Sequence, residues 1–263
     1  MAVNSDLLPH RREVFNMIRT ILGVIFTALF LILTLPVFAV QALLRKIWPH
    51  LGERSSFAIV QTAFRILQLP LGVHCDFIGL ENIPRDEPVL FIGNHRSYLD
   101  VILVYPKLPP ITGFVAKHDF EKVPLLPLWM RRLYCEFLVK DDLKQNLQSI
   151  LNAIDHVKTD KVSMFIYPEG GRSTCEDERD LLPFHEGSFK IATKSNCPIV
   201  PVAVCGTRER WETQFPKMRP GHVIIEFGKP IRTAEMSREE LKGIGAKCRA
   251  IIQEMVKRNH DLI

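Results

Sequence analysis

The sequence predicts an α/β fold in which a largely parallel or mixed sheet is flanked by helices and preceded by a hydrophobic helical segment. Three observations predict this fold. Residues 20–44 carry no charge, short apolar runs recur from about residue 73 onward, and amphipathic helical patterns lie between those runs. Runs that are apolar throughout are typical of strands that helices cover on both faces of a sheet.

The amino-terminal segment is long enough to cross a membrane. A helix over residues 20–44 would extend about 37 Å, whereas the hydrocarbon core of a bilayer is about 30 Å thick. No small-x-small cleavage site follows cleanly, and basic residues flank both ends, so neither a signal peptide nor an orientation is predicted. Pro36 is expected to kink or break the helix. A single kinked span, a two-helix element that enters one leaflet and returns, and a buried core helix all stay open.

A further helix is predicted over residues 55–69, packing on the folded domain or on the membrane surface. We therefore predict a membrane-associated helical region at residues 1–70 and a separate α/β domain at residues 71–263. The apolar positions of this helix are Phe57, Ile59, Val60, Phe64 and Leu67.

Strands and helices alternate through the second region. Leucine, isoleucine and valine at residues 143–157 lie on one face of a helix that Asp141 or Asp142 would cap. Ser237 and Glu240 have capping-box spacing ahead of a last apolar stripe, which we expect to face the core. The predicted strands are Val89–Gly93, Gly113–Lys117, Glu136–Lys140, Val162–Tyr167, Ile199–Cys205 and Val223–Phe227.

Composition excludes several classes of protein. The net charge of +5 is mild, and the basic residues form no nucleic-acid-binding pattern. Six cysteines lie far apart without a Cys-x-x-Cys pair, which favours reduced thiols and a cytoplasmic location for the domain. His74 and Cys75 are the only adjacent His/Cys pair and there is no His-Glu-x-x-His, so no metal site is predicted.

His95 and Asp100 follow the first predicted strand and form a candidate catalytic pair. An imidazole titrates near neutrality and can take a proton from a hydroxyl, and a nearby carboxylate can fix its tautomer and stabilise the imidazolium. Because no nucleophile accompanies the pair, we expect the nucleophile to be a hydroxyl of the substrate. If a helix begins just after His95, a non-helical turn would be needed to bring the two side chains together.

A second cluster follows the predicted strand that ends at Tyr167. Glu169, Gly170, Gly171 and Arg172 lie there in sequence. Ligands of open α/β sheets bind at the carboxyl ends of strands, and glycines beside an arginine suit a phosphate. A Gly-Gly turn with a solvated arginine is the alternative.

Together these segments resemble the glycerolipid acyltransferases, specifically the 1-acyl-glycerol-3-phosphate acyltransferases. That family carries Asn-His-x4-Asp and Phe-Pro-Glu-Gly-Thr-Arg-Ser, which match residues 94–100 and 167–173 here. Residues 114–127, 182–190 and 198–204 match further family blocks more loosely, and the resemblance covers roughly residues 75–232. Three positions depart from the family pattern and leave the acceptor headgroup open: Gly171 replaces a usual threonine, and His185 and Glu186 stand where a basic residue is common.

The resemblance implies transfer of an acyl group from acyl-CoA or acyl carrier protein to a lysophospholipid hydroxyl, giving phosphatidic acid. His95 would be the base and Asp100 its orienting partner. Arg172 would bind the phosphate, and Glu169, beside Gly170 in the substrate site, would orient Arg172 or a glycerol hydroxyl. Lys117 is a second candidate phosphate ligand, with a solvated lysine at a strand end as the alternative. Arg96, beside the base, is a further candidate for the phosphate. No cofactor or metal is implied beyond the thioester co-substrate.

The partners implied are a lysophospholipid, the thioester donor and a bilayer, with the catalytic domain at residues 71–263 on the cytoplasmic face. Three alternatives stay open: acylation of another lyso-lipid, acylation of glycerol-3-phosphate, and an inactive lipid-binding protein. An acyl-enzyme on Ser97 is disfavoured because no Gly-x-Ser-x-Gly turn surrounds it, and its hydroxyl is expected to cap a helix.

Overall fold

The computed structural model describes residues 7–263, with side chains from residue 11 onward. The chain begins with three helices, α1 (Leu7–Leu33), α2 (Leu35–Ile47) and α3 (Pro49–Leu71). The break at Thr34, two residues before Pro36, confirms the predicted effect of that proline, which cannot donate to the preceding turn.

Helix α3 runs back along α2 and then along α1. Near its start, Ser56 donates to Gln41 of α2 at 3.1 Å, and near its end Leu67 packs on Gly23 of α1. The packing of α3 on the domain is as predicted, since Phe57 and Leu67 are buried. In the described part of the chain, α1 alone is long and apolar enough to cross a membrane, over Arg11–Leu33. Only 17% of its most apolar stretch is buried, so the interpretation as a core helix is wrong.

A mixed seven-stranded sheet forms the second region, in the order β1-β7-β6-β2-β5-β3-β4. Strands β2 to β6 are parallel wherever they pair, and β7 is antiparallel to β6 but parallel to the edge strand β1. The predicted α/β class with a largely parallel or mixed sheet is therefore confirmed. The strands are β1 (Val73–Ile78), β2 (Leu90–Gly93), β3 (Thr112–Lys117), β4 (Glu136–Leu138), β5 (Ser163–Ile166), β6 (Ile199–Cys205) and β7 (Gly221–Phe227).

The predicted strands agree with these bounds to within two residues, and β6 agrees at both ends. Strand β1 escaped prediction because its residues alternate between half-buried and exposed, with His74 and Asp76 on the open face. That alternation is typical of a strand with one solvated face, whereas the predicted strands are mostly apolar runs.

Helices cover both faces of the sheet and create two cores. Phe91, Phe165 and Phe227 face the side of α3 and α4, whereas Ile92 and Ile252 belong to the core beneath α9. The remaining helices are α4 (Tyr98–Val104), α5 (Leu126–Arg132), α6 (Leu143–Asp155), α7 (Lys190–Ser195), α8 (Arg238–Lys242) and α9 (Ile244–His260).

Helix ends follow the predicted caps, but one helix face does not follow the predicted burial. Asp142 caps α6, and Ser237 and Glu240 form the capping box of α8. The apolar stripe of α9 faces the core, as predicted. On α6, Ala153 and Ile154 are buried, but leucines 143, 147 and 151 are exposed because α6 packs on the short edge strand β4.

Candidate active site

His95 and Asp100 are brought together by the turn between β2 and α4. Backbone through His95–Ser97 stays outside the helix, and α4 begins at Tyr98 with Ser97 as its N-cap. The Ser97 hydroxyl accepts from the backbone N–H of Leu99 at 3.0 Å. This non-helical turn lets the Nδ1 atom of His95 approach the Asp100 carboxylate at 2.8 Å, which confirms the predicted pairing across five residues.

Asn94 fixes the start of this turn. Its side-chain amide donates to the backbone carbonyl of Val204 at 2.9 Å and accepts from the N–H of the same residue at 2.8 Å. The side chain thereby continues the hydrogen-bonded ladder between β2 and β6 by one position. Since Asn94 is fully buried, an apolar substitution would leave both backbone groups of Val204 unpaired.

Asp100 is fully buried, and four donors satisfy its carboxylate. The Oδ2 atom accepts from the backbone N–H groups of Arg96 at 2.7 Å and Ser97 at 2.9 Å, in addition to the His95 ring. The Oδ1 atom accepts from the hydroxyl of Thr207 at 2.6 Å. This set compensates the cost of burying the group and allows it a single orientation toward His95.

The Nε2 atom of His95 is the ring nitrogen that can accept a proton. With the Nδ1 proton donated to Asp100, the Nε2 atom carries the lone pair, and 16% of the side chain is exposed. Tyr167 stacks on the imidazole with the ring centroids 4.1 Å apart and 16° between the planes. Burial is the main cause that raises the pKa of Tyr167 well above its usual value, and the charge of Asp100 adds to it. The Tyr167 side chain therefore stays neutral beside the imidazole.

Glu169 supports the backbone of the site. Its two carboxylate oxygens accept from the N–H of His95 at 2.8 Å and from the N–H of Leu182 at 3.1 Å. Burial raises the pKa of Glu169, against the lowering effect of these two hydrogen bonds. Arg172 donates to Glu212 and not to Glu169, so of the two expected roles of Glu169 only contact with a glycerol hydroxyl stays a prediction.

Gly170 and Gly171 form the turn that follows Glu169. Gly170 has φ +73°, and a Cβ there would lie 3.0 Å from the Nε2 atom of His185, so both its backbone and its surroundings favour glycine. A Cβ on Gly171 would lie 3.2 Å from the Nζ atom of Lys117. The structure therefore brings Lys117 to the turn, and the absence of a side chain on Gly171 leaves room for its ammonium group.

Arg172 lies at the edge of the site. Its guanidinium stacks 3.8 Å from the centroid of the Tyr98 ring and donates to Glu212 at 3.1 Å. The same Glu212 oxygen accepts from the backbone N–H of Tyr98 at 2.9 Å. The next residue, Ser173, donates its N–H to the carbonyl of His95 at 2.7 Å, so the turn is joined directly to the base. An exposed, oriented guanidinium next to an ammonium group suits an anion.

Arg96 is not available to a substrate, so the prediction that its side chain binds the phosphate is wrong. The side chain is 1% exposed and donates to the backbone carbonyl of Asp177 at 3.3 Å, with Glu209 at 3.9 Å. Its backbone N–H rather than its guanidinium contributes to the site, through Asp100.

Sequence reasoning missed four side chains of the site: Thr207, Tyr98, Glu212 and Tyr167 as a stacking partner of the base. Thr207 and Glu212 follow β6, whose carboxyl end lies at the same sheet edge as those of β2 and β5. The rule that ligands bind at this edge would have found both residues if it had been applied to a third strand.

A family model described as Acyltransferase matches residues 74–205, half of the chain. The chain belongs to the acyltransferase family. The match includes His95, Asp100 and the turn with Arg172, and it ends just before Thr207. Family membership and the geometry thus point to the same sheet edge.

Curated relatives named 1-acyl-sn-glycerol-3-phosphate acyltransferase are similar to this chain. The protein from Saccharomyces cerevisiae is 28% identical over 74% of this chain and 63% of its own length. The protein from Escherichia coli is 25% identical over 64% of this chain and 66% of its own length. The matched region therefore spans less than two thirds of these relatives.

A solved structure shares the fold. The crystal structure of the 1-acyl-sn-glycerophosphate acyltransferase from Thermotoga maritima superposes with a TM-score of 0.80. It covers 94% of this chain and 97% of that chain at 21% identity. The likeness extends over almost the whole chain, including the amino-terminal helices.

Proposed function

We propose that this protein moves a fatty acyl group from the thioester of coenzyme A or acyl carrier protein to the free hydroxyl of 1-acyl-glycerol-3-phosphate, giving phosphatidic acid. The observation that carries the proposal is a His95 ring oriented by Asp100, with its second nitrogen free, in a site that also presents Lys117 and Arg172. A base without a nucleophile, next to cations, fits an anionic acceptor that brings its own hydroxyl.

The reaction follows from the His95 geometry. The acceptor oxygen attacks the thioester carbonyl carbon while the Nε2 atom of His95 takes the hydroxyl proton, and Asp100 stabilises the imidazolium that forms. The tetrahedral intermediate then collapses, the C–S bond breaks and the thiol leaves. The proton on His95 passes to the departing sulfur, which restores the neutral base.

The acceptor phosphate is expected to lie between Lys117 and Arg172. The two cations come from the carboxyl end of β3 and from the turn after β5, which are adjacent strands. The Tyr98 ring and Glu212 hold the guanidinium in place before substrate arrives, so less conformational entropy is lost on binding. Glu169 and Gly170 shape this part of the site through the backbone.

An apolar cavity of about 490 Å³ is available for an acyl chain. It lies between α1 and the domain, and Trp211 is at its edge. Trp211 lines the cavity and packs on Tyr98 with 5.9 Å between ring centroids, and the guanidinium of Arg172 stacks on the other partner of this contact, the Tyr98 ring. A lysophospholipid has this combination of an anionic head and an apolar chain.

Membrane association gives the water-insoluble acceptor access to the site. Helix α1 exposes apolar side chains along its length, and basic residues flank it. We propose that α1 and α2 enter the cytoplasmic leaflet and place the domain on the cytoplasmic face, where the thioester donor is dissolved. Anionic headgroups would add about 1 kcal/mol for each basic residue near the surface.

Release of free coenzyme A, measured with a thiol reagent, tests the proposal. The purified chain is supplied with palmitoyl-CoA and, in separate reactions, 1-acyl-glycerol-3-phosphate, glycerol-3-phosphate or a lysophospholipid with a larger headgroup. We expect the first acceptor to give the highest kcat/KM and phosphatidic acid by mass spectrometry. Faster turnover of another acceptor would reassign the headgroup, and lipid binding without turnover of any acceptor would favour the lipid-binding protein.

A further inference from the structure

Two histidines and an aspartate meet on the open face of the sheet edge. His74 of β1 and His222 of β7 are direct partners in the parallel register, so their side chains leave the sheet on the same face. Asp76 lies two residues after His74 and shares that face. This cluster is separate from the catalytic pair, since β6 lies between β7 and β2.

The ligand atoms of the cluster converge. The Nε2 atom of His74 is 3.3 Å from the Oδ1 atom of Asp76, and the Nε2 atom of His222 is 2.7 Å from the Oδ2 atom. One ligand atom from each residue falls within 4.8 Å of the other two. Bonds of about 2.0–2.1 Å around a tetrahedral ion place neighbouring ligand atoms about 3.4 Å apart, so an ion fits after small side-chain rotations.

Within residues 11–263, no lysine or arginine pairs with the Asp76 carboxylate. Its ion pairs in this part of the chain are with His74 and His222. The neighbouring Cys75 points to the other face of β1, where its side chain joins the core beneath α3. The side chains of His74, Asp76 and His222 are 76%, 52% and 32% exposed, so an ion can reach them from solvent.

We propose that His74, Asp76 and His222 form a binding site for a divalent transition-metal ion, of which Zn²⁺ suits the ligands best. Two neutral imidazoles and one carboxylate are a set of three protein ligands that zinc accepts, with water in the fourth position. Hard cations such as Mg²⁺ and Ca²⁺ prefer oxygen ligands and would bind poorly here. The exposure of the ligands predicts reversible rather than permanent binding.

The ion would link the edge strand β1 to its neighbour β7. Strand β1 follows α3 directly and, among the described strands, pairs only with β7, so it forms one edge of the sheet. A metal bond across β1 and β7 would resist separation of these strands. An ion that binds only the folded state raises the melting temperature, and the rise grows with the logarithm of the ratio of metal concentration to Kd.

Titration of Zn²⁺ into the tag-free, detergent-solubilised full chain tests this site. We expect one ion per chain by calorimetry and a rise in Tm of roughly 5–10 °C at one hundred times Kd. Co²⁺ in place of Zn²⁺ should show ligand-field bands without a thiolate charge-transfer band, because no cysteine is a ligand. Mg²⁺ at the same concentration should leave the Tm unchanged.

Variants of the three ligands separate the site from unspecific histidine binding. His74→Ala, His222→Ala and Asp76→Asn should each weaken Zn²⁺ affinity at least tenfold, and they change two exposed side chains and one half-buried side chain. The matched control is His118→Ala, which removes an imidazole paired with a single carboxylate, Glu121, and should leave the affinity unchanged. Unaltered Zn²⁺ binding in the His74→Ala and His222→Ala variants, absence of saturable binding in the parent, or a thiolate band with Co²⁺ would overturn the proposal.

Discussion

Asp100 accepts hydrogen bonds from four donors that come from two parts of the chain. Three donors belong to the turn of residues 95–97, and the fourth is the hydroxyl of Thr207, which follows β6. The turn thereby places the base, while Thr207 ties the carboxylate to a second strand of the sheet. At the residue scale, the orientation of His95 depends on this one buried group.

Thr207→Val should lower kcat about tenfold with little change in the KM for the acceptor. Valine keeps the shape of threonine but leaves the Oδ1 atom of Asp100 without its donor, so the carboxylate holds His95 less firmly. Steady-state kinetics with folding checked by circular dichroism measures the effect.

The matched control for this prediction is Thr233→Val. Thr233 is also buried and donates to a backbone carbonyl, that of Cys197, at 2.8 Å, but it lies away from the site. Equal losses of kcat in both variants would mean that Thr207 acts only through general stability.

Arg172→Ala should raise the KM for 1-acyl-glycerol-3-phosphate about tenfold or more while leaving the KM for the thioester donor nearly unchanged. A charge-assisted hydrogen bond to the phosphate is worth about 1.5–3 kcal/mol. Arg179→Ala is the control, because Arg179 is also exposed and also pairs with a carboxylate, that of Asp177. A larger effect on the donor would contradict the assignment of Arg172 to the acceptor.

At the scale of elements, the sequence predicted structure best where one local signal decides it. The proline break after α1, the caps of α4, α6 and α8, and the bounds of β6 all follow from a few adjacent residues. The open edge strand β1 and the exposed leucines of α6 depend on which neighbour covers a face, which the sequence does not contain.

Helix α6 ends in a π-helical turn that carries a pH-sensitive contact. His156 pairs with Glu136 of β4 at 3.1 Å and with Asp160 at 2.9 Å. The hydrogen bond that the His156 ring donates to Glu136 is the main cause that raises the pKa of His156, against the opposing effect of burial, and Asp160 adds to it. Folding therefore favours the protonated imidazole.

His156→Gln should lower Tm more at pH 6 than at pH 9. The contribution of a raised histidine pKa is fully present below the unfolded pKa of about 6.5 and is lost as pH rises through the folded pKa. Scanning calorimetry at both values measures the difference, with His50→Gln on the exposed start of α3 as the control. A difference that grows with pH would show that the folded protein prefers neutral His156.

Across the whole molecule, the amino-terminal helices and loops of the α/β region line one cavity. The cavity is lined by α1, α3 and Trp211, and Trp211 packs on the Tyr98 ring that supports Arg172. The contact between His95 and Asp100 could be predicted from the sequence because both residues lie in one short segment. No local pattern identifies Thr207 and Glu212, since folding brings them to residues more than a hundred positions earlier and only their place after a third strand of the same sheet edge marks them.

Leu33→Glu should lower the fraction of protein that sediments with anionic phospholipid vesicles. Leu33 is 68% exposed at the end of α1, and a carboxylate there opposes insertion into the leaflet. Leu143→Glu is the control, because Leu143 is 86% exposed on α6, away from the proposed membrane helices. A greater loss of binding in the control would place the membrane surface on α6 instead.

The rate of acyl transfer to 1-acyl-glycerol-3-phosphate in a His95→Ala variant is the sharpest test of whether His95 is the catalytic base. The account predicts a loss of about 100- to 10,000-fold in kcat, the usual contribution of a general base, in a protein whose Tm stays near that of the parent. Transfer at close to the parent rate by folded His95→Ala protein would contradict the account.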